Sequence, residues 1–79
     1  MEELLKNIEN TVLDVSGYSG DLDYSWDLVA KRIIKSVMLL EIISIIEEEY
    51  DIEVTAQHVF DGHFASINSI AGFVNSQKG

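Results

Sequence analysis

Acidic and hydroxyl side chains alternate at Asp21, Asp23, Ser25 and Asp27, in the way a calcium-binding loop begins. Such a loop needs a glycine at its sixth position for the sharp turn and a bidentate glutamate at its twelfth. Trp26 and Arg32 stand there instead, so a calcium site is not expected. His58, Asp61 and His63 offer two imidazoles and a carboxylate, donors suited to a divalent transition metal. Their spacing follows no standard zinc pattern, and no metal is expected there either. No serine stands with a histidine and an aspartate in a nucleophile arrangement that the sequence supports. There is no glycine-rich phosphate loop. Catalysis by the chain alone is therefore not expected, and it is read as a non-enzyme. Cysteine is absent, which excludes disulfides and thiolate metal sites. Any thiol chemistry would have to arrive on an attached group.

These side chains must be placed by a chain of 79 residues, enough for one domain with one core. A domain of this size buries only about 60% of the surface its unfolded chain exposes. The hydrophobic fraction of 47% is that of a globular protein. Fourteen acidic residues against five basic ones give a net charge of −9, which repels phosphate backbones and anionic lipid surfaces. Nucleic acid and membrane are thereby set aside as partners, and a basic protein surface is the natural complement. No apolar run is long enough for a membrane span, and the start reads Glu2-Glu3 rather than a basic leader. The default expectation is a cytoplasmic monomer.

Leu4, Leu5, Ile8, Val12 and Val15 recur at helical spacing and predict a first helix over residues 2–15. Residues 16–26 hold two glycines, three serines and two aspartates and read as a loop whose aromatic residues pin it to the core. Residues 27–51 contain neither glycine nor proline. One helix of that length would be about 37 Å long, whereas a domain this size is roughly 30 Å across. A break is therefore expected between Lys31 and Lys35, followed by a main helix over 36–50. On that helix Val37, Leu40, Ile43, Ile46 and Tyr50 read as one apolar row. Met38, Leu39, Ile42 and Ile45 widen it, and Glu41, Ser44 and Glu48 form the polar stripe. Asp51–Val54 is expected to be extended. Thr55 reads as the N-cap of a short helix over 56–60, Asp61-Gly62 as a turn, and Ser66 as the N-cap of a last helix. That helix buries Ile67, Ile70, Ala71, Phe73 and Val74, with a fraying tail beyond. The sum is an all-α four-helix bundle: three longer helices, a short third one and a long first loop.

The stretch from Lys35 through Glu47-Glu48-Glu49-Tyr50 to Ile52-Glu53-Val54 resembles the second helix of acyl and peptidyl carrier proteins. In that family Asp-Ser-Leu opens an apolar helix ending in a Glu-Glu-Glu-Phe-like cluster, then Ile-x-Ile/Val. The later His63-Phe64-Ala65-Ser66-Ile67-Asn68-Ser69-Ile70 resembles the family's last helix, where an aromatic-x-Ser precedes Ile-x-x-Ile. Agreement without gaps runs from about Lys35 to Val74, half the chain. The first helix and loop agree in length and character.

The resemblance implies a carrier-protein-like bundle in which Ser36 bears 4′-phosphopantetheine, attached from coenzyme A by a phosphopantetheinyl transferase. The arm would supply the thiol that the chain lacks. It would hold an acyl, aminoacyl or peptidyl group for lipid or secondary-metabolite biosynthesis. A cargo-loading ligase or synthase with a basic docking surface would complete the partner set. By the same resemblance Glu41, Glu47 and Glu48 face partners, with Met38 and Ile45 as apolar contacts. The sequence departs from the family where Asp-Leu-Gly and the final Asp before the serine would stand: Lys31, Arg32, Ile33 and Lys35 occupy those positions. An acidic approach has become basic. That departure keeps open an alternative, a carrier fold that binds partners without a prosthetic group.

Overall fold

The computed structural model describes residues 2–78, which form four α-helices and no strand. Helix α1 spans Glu2–Ser16, α2 Ser36–Tyr50, α3 Ala56–Phe60 and α4 Ile67–Lys78. The all-α four-helix bundle expected from the sequence is the architecture found. No helix among the described residues is long and apolar enough to cross a membrane.

Helix α1 turns Ile8 and Val12 into the core and packs against both α2 and α4. It ends where Gly17, at φ +70°, donates its N–H to the Leu13 carbonyl (2.9 Å). A side chain would be strained in that left-handed position. The following loop is tied down at several points. Leu22, Leu28, Ile33 and Ile34 are buried. The Tyr24 hydroxyl donates to Glu9 Oε1 (2.9 Å), a bond that raises the phenol's pKa above its usual value. The Tyr24 carbonyl accepts the Asn68 N–H at the start of α4, and the Leu28 N–H donates to the Ala65 carbonyl. A loop with its backbone bonded to the far end of the chain behaves as part of the core.

The expected break between Lys31 and Lys35 is present. Asp27 Oδ1 accepts the N–H groups of Val29 and Ala30, starting a single turn. Arg32 then adopts φ +60° and the turn stops. The N–H groups of Ile33 and Ile34 both return to the Leu28 carbonyl. Burial of the two isoleucines holds a left-handed arginine that costs about 1–2 kcal/mol. The longest dimension of the molecule is 31 Å, too short for the unbroken rod of about 37 Å.

Helix α2 corrects one reading. Its core face is Ile42, Ile43 and Ile46. Val37 and Leu40, read above as part of the buried row, are 71% and 67% exposed. The helix closes at Asp51, φ +54°, whose N–H returns to the Glu47 carbonyl. Thr55 and His58 form a reciprocal cap on α3: Thr55 Oγ1 accepts the His58 N–H, and His58 Nδ1 accepts the Thr55 N–H. Ser66 caps α4, accepting the Ser69 N–H (3.1 Å). All five residues expected on the apolar stripe of α4 are buried. The tail does not fray at Asn75 as expected. The helix continues to Lys78, whose Nζ donates to the Tyr50 carbonyl (3.3 Å).

Tyr50 carries a defect that can be measured. Its hydroxyl is buried with no hydrogen-bond partner. Loss of solvent and the Glu49 carboxylate raise its pKa; Asn7 acts in the opposite direction but makes no bond of good geometry. Tyr50→Phe removes an unpaired polar atom and is expected to stabilise the fold by about 1 kcal/mol. Because the folded-state pKa is raised, stability is complete below about pH 10 and is lost as pH rises through the folded value. Urea titrations from pH 8 to 11 check both effects. The Phe variant should start higher and fall less steeply.

Candidate functional site

Ser36 is the first residue of α2 and is exposed. Lys35 precedes it in an extended conformation (φ −92°, ψ 160°) and provides no side-chain cap. The Lys35 carbonyl accepts the N–H groups of Met38 and Leu39, at 2.9 and 3.2 Å. The N–H groups of Ser36 and Val37 lie in the first turn, where no intrahelical acceptor exists. A hydroxyl here projects into water beside open N–H donors and the positive end of the helix dipole. That environment favours a phosphate ester on the serine oxygen over the same ester in mid-helix.

Successive residues on a helix rotate by about 100°. Counting from Ser36, the exposed side chains Val37, Leu40, Glu41, Ser44 and Glu48 fall on one continuous face. Ser36 stands at its upper end. The face joins two bare aliphatic side chains to two carboxylates. Of the residues expected to contact partners, Glu41 and Glu48 lie on it and are exposed. Met38 is half-buried and packed against the core, and Ile45 is half-buried. Glu47 is also half-buried, and its Oε2 accepts the Val54 N–H (2.9 Å), tying α2 to the extended segment. The exposed apolar side chains missed in the sequence are Val37 and Leu40. The signal was present: Val37 lies four residues before Glu41, and Leu40 four before Ser44, on the polar stripe itself.

Beside the site lies an unusual charge arrangement. Lys31, Arg32 and Lys35 are all exposed, and the only ion pair among the described residues is Lys6–Glu9 elsewhere. Lys31 Nζ sits 5.5 Å from the centre of the Trp26 ring, within cation–π range.

The other constellations are drawn into local structure. Asp23 Oδ1 accepts from both Ser25 Oγ (2.6 Å) and Ser25 N–H (2.8 Å), and these bonds hold its carboxyl below the usual range. Asp27 caps the turn after it. The His58 and His63 rings lie 6.0 Å apart and both rest on Phe73. Asp61 accepts from Gln57 Nε2 instead. No group of three potential metal ligands converges among the described residues. An open depression of about 510 Å³ is lined by Glu2, Glu3, Leu5, Lys6 and Tyr24, and none of these belongs to the Ser36 face.

Comparison with known protein families, with curated proteins and with solved structures found no match to this chain.

Proposed function

We propose that this chain is a free-standing carrier protein, with 4′-phosphopantetheine on Ser36 and an acyl, aminoacyl or peptidyl cargo. The observation that carries the reading is the position of Ser36: exposed, first in its helix, at the head of a face of mixed apolar and acidic side chains. The attachment balances simply. The Ser36 oxygen bonds to the pantetheine-bearing phosphorus of coenzyme A. The pyrophosphate P–O bond breaks, adenosine 3′,5′-bisphosphate leaves, and the serine proton passes to the transferase. Once attached, the group supplies a thiol on a long flexible tether, in a chain with no cysteine of its own.

The chain's own residues do the rest. The first-turn N–H groups favour the anionic ester. Val37 and Leu40 offer desolvation to a docking enzyme, and Glu41 and Glu48 speed encounter with a basic surface. The proposal places the protein in the cytoplasm as a monomer. Its partners are a phosphopantetheinyl transferase and a cargo-loading ligase or synthase.

Incubation with coenzyme A and broad-specificity transferases, followed by intact mass, tests the reading. The expected result is a gain of one phosphopantetheine on the wild type and none on Ser36→Ala. A wild-type mass unchanged by every transferase favours the second reading, a carrier fold that binds partners without a prosthetic group. The three cations ahead of the serine are what favour that alternative, because they oppose a basic transferase at its target.

A further inference from the structure

The charges along α2 run in the direction opposite to the one that stabilises a helix. Acidic side chains are favourable at a helix's positive N-terminus and cations at its negative C-terminus. Here Lys35 precedes the first residue, and Lys31 and Arg32 stand just before it. The last turn carries Glu47 and Glu48 and no basic residue. Side-chain charge therefore adds to the backbone dipole instead of offsetting it. Three of the five cations in a chain of net charge −9 are gathered within five positions of the proposed attachment serine.

The backbone that carries the cations is held in place. Ile33 and Ile34 are buried between them, both N–H groups fixed on the Leu28 carbonyl. Arg32 is set by its left-handed backbone, and Lys31 rests against Trp26. None of the three is neutralised by an ion pair among the described residues. The surface around Ser36 thus presents positive charge on the approach side and negative charge further along the same helix. Lys35 and Glu48 are thirteen residues apart, about 20 Å along the helix axis.

From this we infer that the enzyme which modifies Ser36 carries an acidic patch facing Lys31, Arg32 and Lys35, and a basic patch facing Glu41 and Glu48, which lie about 9 and 20 Å beyond Lys35 along the helix. The inference rests on the carrier reading above and adds the character of its partner. A uniformly basic docking surface meets repulsion at the serine and attraction beyond it. A divided surface is attracted at both ends and is aligned before contact. The cations then act as a selectivity device, slowing enzymes built for uniformly acidic carriers.

The test uses one broad-specificity phosphopantetheinyl transferase whose docking surface is basic, and three full-length carriers: wild type, Lys31→Gln/Lys35→Asn and Lys31→Glu/Lys35→Asp. Asn and Asp both cap a helix well, so the last two differ in charge and share capping. At low ionic strength kcat/KM for modification should rise from wild type through the neutral variant to the acidic one, by at least tenfold in total. Added salt should slow the acidic variant several-fold more than the wild type, a difference that a purely structural effect would not produce. Glutamate in place of the transferase's basic residues opposite positions 31–35 should invert the ranking. Equal rates for all three carriers, or a ranking that the altered transferase leaves unchanged, overturns the divided-surface inference and leaves the carrier reading standing. No modification of any of the three carriers, by this transferase or by the others used above, removes the carrier reading, and this inference with it.

Discussion

Truncating Ile46 to alanine is expected to remove about 3–4 kcal/mol of stability. Ile46 is fully buried on α2, within the core that α1 and α4 complete. A domain of this length has roughly 4–12 kcal/mol in total. The variant should therefore lose a large part of its stability, with a Tm lower by roughly 15–25 °C. Leu40→Ala on the same helix deletes a similar number of methyl and methylene groups from a side chain already 67% exposed. Its cost should stay below about 0.5 kcal/mol. Urea unfolding followed by helical circular dichroism compares the two directly. Comparable losses would mean that α2 is rotated from the orientation described, and with it the face that Ser36 heads.

Leu40 should matter for a different measurement. Leu40→Arg leaves the core intact and puts a cation beside Glu41 and one turn before Ser44 on the proposed docking face. A partner with basic groups opposite Glu41 and Glu48 then meets a charge where it had an apolar side chain to desolvate. Such replacements at the centre of a contact cost about 1.5–3 kcal/mol, a loss of roughly 10- to 100-fold in kcat/KM for modification at Ser36. Asn75→Arg, the same charge on the exposed side of α4, controls for net charge and should change the rate by less than about twofold, the effect of long-range steering alone. Measured with coenzyme A and one transferase, equal effects at positions 40 and 75 would remove Leu40 and its neighbours from the docking face.

Helices α3 and α4 were legible because each carries its own punctuation. Thr55 and Ser66 announce the starts of α3 and α4, and the five apolar residues of α4 repeat at the spacing they occupy in the core. The break before Ser36 was legible by length alone, since no glycine or proline marks it. A left-handed arginine, fixed by two buried isoleucines, is a tertiary effect that local propensity does not contain. The face of α2 was only partly legible. Fifteen residues that are apolar almost all round leave the buried side undetermined, and residue type pulled Val37 and Leu40 inward when position put them outside. Glu47 was read as a partner contact, whereas its carboxylate also holds the Val54 N–H. That bond depends on the αL residue Asp51 folding the chain back, which no spacing rule supplies. The fold itself carries no chemistry; the functional reading rests on Ser36 and its surroundings.

The most direct measurement is site-resolved mass spectrometry of the chain purified from the cells that make it. The account predicts a phosphopantetheine on the proteolytic fragment that contains Ser36, localised to that hydroxyl. A fragment recovered in full with its serine bare, or the group found on any other residue, would contradict it.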